Sequence, residues 1–343
     1  EELHPELSAE VRDEVRGAQE QVADDLVTQV GSDSQNLLVP WADGLRPFQR
    51  SGVDFAVNHR NILWADDMGL GKTVQSITAV EEFYLRRVME EDGPAGSGMM
   101  AGSNTSARPG PVLVICPNSA RGSVDHEGGW WAEITRGPNP KYFDRSTWPE
   151  LEATIVDGST PKKRKQQIRD AVDDNEYVII NWEKLRLHPE LKDYKWAAII
   201  ADEAHRLKNL KAACTKRVAR HMAANPDTTF IPMSGTMMRD SILDFAHLQW
   251  WALKKGTPLP LSRHELEDWA SALDKPKAQR PGFEVERKEP GALLDFCNEE
   301  ELKNDPVTAA RLGFRRRLSE TPGVISSADD GERVDCSIYV NSI

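Results

Sequence analysis

The chain has 343 residues and a formal charge of −12, with 39% hydrophobic and 29% charged side chains. That is the mix of an ordinary folded soluble protein of about two domains. No run approaches the ~20 consecutive apolar residues that a membrane helix needs, and the opening Glu1-Glu2-Leu3-His4 is acidic where a secretory leader is basic and then apolar. Cys116, Cys214, Cys297 and Cys336 lie far apart with no C-x-x-C pair. This argues against a zinc site or a disulfide framework and sets the expectation of an intracellular, reducing compartment.

The acidity is local. Residues 1–36 hold ten acidic side chains against Arg12 and Arg16, which accounts for −8 of the −12. Basic residues gather at Lys162 to Arg169, Arg206 to Arg220 and Arg311 to Arg317, so a nucleic-acid partner is not excluded, because local potential decides it. Leu7, Val11, Val15, Ala18, Val22, Leu26 and Val30 recur at helical spacing before Gly31, which predicts an amphipathic acidic helix within an extension over residues 1–44. Pro40 to Pro47 reads as a turn-rich lead-in.

From residue 45 to 245 short apolar runs alternate with helical patterns. Ile62 to Ala65, Val112 to Cys116, Thr154 to Val156, Tyr177 to Ile180, Ala197 to Ala201 and Thr229 to Ile231 read as strands, and Lys72 to Met89 as a helix. Continuous apolar strands separated by helix-length segments predict an α/β fold with a mostly parallel sheet covered on both faces. Asp92 to Gly110 reads as a Gly/Ser-rich loop, residues 246–330 as charged and helical, and residues 331–343 as the start of a further unit. Arg206, Lys208, Lys211, Lys216, Arg217 and Arg220 are expected on one helix.

The chemistry concentrates at strand ends. Asp66 to Thr73 (DDMGLGKT) joins a strand to a helix. Glycines there let backbone N–H groups approach phosphate oxygens, and a helix N-terminus adds positive potential. Lys72 is placed to reach the β/γ-phosphates and Thr73 to ligate Mg²⁺. A strict phosphate loop has glycine where this chain has Asp66. Asp202-Glu203 ends another strand, where carboxylates of a parallel sheet face the ligand crevice. Asp202 is expected to hold Mg²⁺ and Glu203 to orient or deprotonate a water. Ser234 and Thr236, after the last strand, can hydrogen-bond those carboxylates, and Gln49 can pair with an adenine edge. The ten tryptophans read as core or packing residues.

Together, Leu45 to Gln49, Asp66 to Thr73, Val114 to Pro117, Asp202 to Asn209 and Ser234 to Thr236 resemble the first-lobe motifs of superfamily 2 helicase-like ATPases. More narrowly, DDMGLGKT and DEAHRLKN, with its DEAH box, resemble the Swi/Snf-type duplex-DNA translocases. The resemblance covers about residues 40–325. It implies a RecA-like P-loop NTPase lobe over residues 45–245 with a helical protrusion over 246–330. It further implies adenine recognition by Gln49, phosphate binding by Gly69, Leu70, Gly71, Lys72 and Thr73, Mg²⁺ at Thr73 and Asp202, and catalysis by Lys72 and Glu203. The resemblance also implies that Ser234 and Thr236 couple nucleotide state to DNA grip and that Ser119, Arg121, Lys208 and Asn209 contact the DNA backbone. Asp67 and Met237 depart from the family's usual glutamate and proline.

In this family a second lobe supplies an arginine finger, worth roughly 10³–10⁵ in phosphoryl-transfer rate, so weak ATP hydrolysis is expected of this stretch alone. Two alternatives remain from the sequence: a strand-separating helicase, and a nucleotide-dependent binding module without turnover.

Overall fold

The computed structural model describes residues 37–59, 62–64, 69–92, 110–141, 143–235, 241–254, 257–260, 262–273, 291–319 and 324–325. The expected acidic helix, the loop at 93–109, Asp66, Asp67, Thr236, Met237 and the segment 331–343 lie outside them.

Among the described residues seven strands form one sheet in which every pairing is parallel: β1 (Leu63–Trp64), β2 (Val112–Cys116), β3 (Ala153–Ile155), β4 (Tyr177–Asn181), β5 (Ala198–Asp202), β6 (Thr229–Met233) and β7 (Val324–Ile325). Their spatial order is β3-β4-β2-β5-β6-β1-β7. β2, β4 and β6 are buried along their whole length, as strands covered on both faces must be. The two-residue period of the backbone deals their side chains to opposite faces. Leu113, Ile115, Val178, Ile180, Ile199 and Phe230 enter one core cluster, and Val114, Cys116, Tyr177, Ile179, Ile200 and Ile231 the other.

The second face is covered by α1 (Pro47–His59), α2 (Lys72–Asp92) and α3 (Trp130–Arg136), through residues such as Val53, Ile77 and Ile134. Val39, Trp41 and Leu45 share this layer. Leu38 N–H and Val39 N–H donate to the buried Glu82 Oε2 at 2.8 and 2.9 Å, and Trp41 Nε1 donates to Thr78 Oγ1 at 3.1 Å. The first face is covered by α4 (Pro161–Asp173), α5 (Trp182–Leu185) and α6 (Ala213–Ala224), then by α7 (Ala246–Leu253), α8 (Arg263–Leu273) and α9 (Pro306–Ser319). The helical segment after β6 is therefore continuous with the core of the sheet, with Trp269 and Phe314 in edge-on contact.

Local chemistry sets the helix starts. Thr160 caps α4 by accepting from Lys163 N–H at 3.2 Å, with Pro161 in the first turn. The basic run from Arg206 to Arg220 is not on one helix, a correction to the sequence expectation. Arg206 lies in a 3-10 turn over Ala204–Leu207, and α6 starts only at Ala213. Asn209 interrupts the helix: its side chain accepts from Lys211 N–H at 2.9 Å and its carbonyl from Ala212 N–H at 2.9 Å, a local turn that competes with helix. Among the described residues no helix is long and apolar enough to cross a membrane.

Candidate active site

Strand register assembles the site. Trp64 pairs with Met233, and Met233 with Asp202, so β1, β6 and β5 end at one level. The chain after β1, Ser234 and Glu203 all leave the sheet there. Ser234 N–H donates to Trp64 O at 3.1 Å, which stitches the first two exits together.

In the loop, Gly69 (φ +93°) and Gly71 (φ +77°) adopt the left-handed region, which glycine enters without steric cost. Space is a second constraint at Gly71, where an added Cβ would stand 2.4 Å from Gln49 Nε2. Gln49, on α1, donates from Nε2 to Leu70 O at 3.2 Å and accepts from Arg46 N–H at 3.1 Å. Gln75 Nε2 donates to the same Leu70 carbonyl at 3.1 Å, and Leu70 packs against Phe48. The loop is thus held from α1 and α2 together, with Lys72 and Thr73 opening α2.

The two carboxylates sit in opposite environments. Asp202 Oδ2 accepts from Trp130 Nε1 at 3.0 Å, and Asp202 O accepts from Trp182 Nε1 at 3.1 Å. Burial pushes the Asp202 carboxyl above its ordinary range and the Glu203 charge adds to that, while the Trp130 bond and the Lys72 charge pull it back. Glu203 is left-handed at φ +54°, ψ +50°, a strain on the order of 1 kcal/mol for a residue with a side chain. Its Oε2 lies 3.0 Å from His205 Nδ1 and accepts from Ser234 Oγ at 3.2 Å. His205 Nδ1 is also 3.1 Å from Ser234 Oγ. The His205 bond, aided by Ser234 and Lys72, holds the Glu203 carboxyl below the usual range against its burial. Neighbouring carboxyls pushed apart in this way mark sites of acid–base work.

A third carboxyl stands behind them. Burial pushes Glu133, on α3, up to about 7, with the Asp202 charge adding and Arg145 pulling back. Burial, with Asp202 again adding, also lifts the Cys116 thiol well above its usual range, so it is an inert thiol.

Of the sequence-predicted residues, the structure brings together Gln49, Gly69 to Thr73, Asp202, Glu203 and Ser234. Ser119 and Arg121 lie on a separate loop after β2, beside α3. Lys208 and Asn209 are exposed after the Ala204–Leu207 turn. Arg121 Nε is buried without a hydrogen-bond partner. Sequence reasoning assigned no role to His205 or Glu133 and read Trp130 and Trp182 only as core or packing residues. A sequence signal beside Trp130 is the preceding Gly129, which marks a close backbone approach.

Residues 48–254 match the model of the SNF2-related domain. This chain belongs to the SNF2-related family. It is 30% identical over 213 residues to Switch 2 of Arabidopsis thaliana, covering 59% of this chain and 20% of that protein. To the DNA excision repair protein ERCC-6-like 2 of Mus musculus it is 29% identical over 219 residues, 61% of this chain and 13% of that one. To the ISWI chromatin-remodeling complex ATPase ISW1 of Saccharomyces cerevisiae it is 28% identical over 236 residues, 66% and 17%. The chain thus spans a fifth or less of the length of these SNF2-related relatives. The Sulfolobus solfataricus SWI2/SNF2 ATPase core in complex with dsDNA superposes with a TM-score of 0.50 at 18% identity, over 85% of this chain and 47% of that one. The RecA-like fold expected for an SNF2-related lobe is the fold observed.

Proposed function

We propose that this chain is the ATP-binding lobe of a duplex-DNA translocase, binding Mg²⁺–ATP between the β1–α2 loop and the end of β5. Completed by a second RecA-like lobe, it hydrolyses ATP to ADP and phosphate. The observation that carries the reading is the common level of three strand ends, which brings the Lys72 charge within reach of both carboxyls, opposing the burial that raises Asp202 and adding to the bonds that lower Glu203. In this reading residues 45–245 are the lobe, 1–44 an acidic extension, 246–330 a helical protrusion and 331–343 the beginning of the second lobe.

The residues present suit Mg²⁺. Its hard-oxygen donors would be the Thr73 hydroxyl and the Asp202 carboxylate. Few protein oxygens, with the rest from substrate phosphates and water, is how Mg²⁺ is usually held. When bound, the ion would supply neutralisation of charge on the phosphates. Gly69, Leu70, Gly71 and Lys72 bind those phosphates, and Gln49, already fixed on the loop, faces the adenine. Glu203, kept ionised by His205, accepts a proton from the attacking water. Ser234 and Thr236 relay the state of the nucleotide to the DNA grip.

Charge crowding supports a polyanion beside this site. Burial lowers the Lys184 pKa, and the nearby charges of Arg121 and Arg164 lower it further against Asp157. Like charges held together are relieved by phosphates. Ser119, Arg121, Lys208 and Asn209 are the proposed backbone contacts.

The test is ATP turnover without DNA, with single-stranded DNA and with duplex DNA, beside Lys72→Ala. Duplex-stimulated turnover lost in Lys72→Ala and Glu203→Gln supports the reading, and stimulation by single strands alone turns it toward strand separation. Nucleotide binding with turnover no better than Lys72→Ala, even with a second lobe supplied, reduces the protein to a nucleotide-dependent binding module.

A further inference from the structure

Trp130 is 1% exposed, and its main chain and side chain bond to different parts of the site. Its indole N–H donates to Asp202 Oδ2 at 3.0 Å. Its backbone N–H donates to Ala120 O at 2.9 Å, and Trp131 N–H donates to Arg121 O at 3.1 Å. The loop carrying Ser119 and Arg121 is therefore bonded directly to the first turn of α3.

We propose that Trp130 is a positioning residue that couples duplex DNA on the residue 117–129 loop to Mg²⁺–nucleotide at Asp202. The inference rests on the function proposed above and adds the route by which the two ligands sense each other.

Three features make this junction stiff. Gly122 (φ +76°) and Gly129 (φ +89°) cross backbone against backbone, and a Cβ on Gly129 would stand 2.6 Å from Gly122 N and 2.8 Å from Ala120 O. No flexible side chain lies in that crossing to absorb a displacement. Asn118 Oδ1 accepts from Asn181 Nδ2 at 2.9 Å, which fixes the near end of the loop to β4. The buried indole has no room to pivot, so motion of the loop moves the indole N–H.

At the other end, the Asp202 main chain is held separately by Trp182 Nε1 on its carbonyl. The backbone is pinned while the carboxylate follows Trp130. An indole N–H is a donor only, so it commits Oδ2 and orients the rest of the carboxylate for a cation. Partners of this kind behind a metal ligand change metal affinity by about 10–100-fold when removed.

Trp131 is the internal control. Its indole donates to Ala153 O at 3.0 Å, away from Asp202.

The experiment titrates a fluorescent ADP analogue into the chain with Mg²⁺ or EDTA, with and without duplex DNA. Wild type, Trp130→Phe, Trp131→Phe and Lys72→Ala are compared. The expected wild-type result is a change of at least ~5-fold in Mg²⁺–nucleotide Kd on adding duplex, matched by the reciprocal change in DNA affinity. Trp130→Phe weakens Mg²⁺–nucleotide about 10-fold, leaves binding in EDTA unchanged and brings the DNA factor to about 1. Trp131→Phe keeps the wild-type factor.

A wild type that binds nucleotide no better than Lys72→Ala overturns the proposed function. A wild type that binds nucleotide, with a DNA factor that survives Trp130→Phe or is absent from the start, overturns the coupling alone. If Trp130→Phe does not fold, 3-benzothienylalanine at position 130 replaces the N–H by sulfur in nearly the same shape, and the same readouts decide.

Discussion

The hydroxyl of Ser234 donates to Glu203 Oε2 at 3.2 Å, and the same carboxylate oxygen lies 3.0 Å from His205 Nδ1. Two donors on one oxygen keep Glu203 ionised and aimed while its backbone is held left-handed. Ser234 is also tied to the end of β1 through its own N–H, so any shift of β6 against β1 alters the base. Ser234→Ala is expected to lower duplex-stimulated phosphate release roughly 10- to 100-fold, the worth of one hydrogen bond to a charged group. The same substitution leaves nucleotide affinity within about twofold. A loss of affinity equal to the loss of rate would instead place Ser234 in ground-state binding.

Gly71 answers to two constraints at once, its φ of +77° and the 2.4 Å approach of Gln49 Nε2 to a would-be Cβ. Gly71→Ala is expected to weaken nucleotide binding by about 10-fold or more. Repeating it in a Gln49→Ala background removes the steric part and leaves the left-handed cost of about 1 kcal/mol. Equilibrium titration of the four proteins separates the terms. Equal losses in both backgrounds would show that Gln49 does not confine the loop.

Glu133 predicts a pH dependence of stability. Its folded pKa of about 7 stands above the ordinary value of 4.5, so the folded state binds the extra proton between those values. Stability from this group is complete below pH about 4.5 and is lost as pH rises through about 7, up to about 3 kcal/mol in all. Glu133→Gln cannot ionise, so the difference in urea-unfolding free energy between variant and wild type should rise over that window and level off above it. A flat difference would mean that Glu133 is ionised in the folded protein.

How much of this was legible in the sequence varies by element. The apolar runs gave six of the strands to within a residue or two, because a buried parallel strand needs no partner to declare itself. The positions of Lys72, Asp202 and Glu203 were equally plain, since Lys72 opens the helix after β1 and Asp202 and Glu203 close the apolar run of β5. Trp130 and Trp182 were not. An indole reads as core from sequence, and only the hydrogen bonds from α3 and α5 to Asp202 show where its N–H points. The basic run at residues 206–220 misled because charge has no period, while the turn at Asn209 that breaks the helix depends on one side-chain hydrogen bond. The docking of residues 38 and 39 on Glu82 joins positions more than forty residues apart, beyond the reach of local pattern.

That docking is itself testable. Glu82 is fully buried, accepts two backbone N–H groups on Oε2 and pairs with Arg86 Nε at 2.7 Å through Oε1. Glu82→Ala strands the Leu38 and Val39 N–H groups and leaves Arg86 to Asp54 and Asn58, and losing a buried charged acceptor of two donors costs about 3 kcal/mol. The exposed Arg263–Glu267 pair at 2.8 Å is the contrast, with Glu267→Ala expected within about 0.5 kcal/mol of wild type. Urea denaturation of both variants checks the ranking. A small effect at Glu82 would show that residues 37–41 are not anchored by it.

DNA contacts through phosphates leave a mark in salt dependence that folding defects do not. Each cation that neutralises a phosphate contributes about −0.9 to the slope of log K against log salt on duplex DNA. Arg121, with its buried Nε unbonded and its charge felt by Lys184, should count as one such cation, and exposed Lys208 as another. Arg121→Ala and Lys208→Ala are each expected to reduce the slope by about 1, uniformly across DNA sequences. Arg263→Ala, on α8 and engaged with Glu267, leaves it unchanged. Phosphates near Arg121 would also restore the Lys184 ammonium toward its ordinary pKa, visible as an upward shift of its titration on adding duplex. An unchanged slope in Arg121→Ala would move the DNA path off the loop that Trp130 anchors, and the arrangement of α3 would then serve the fold alone.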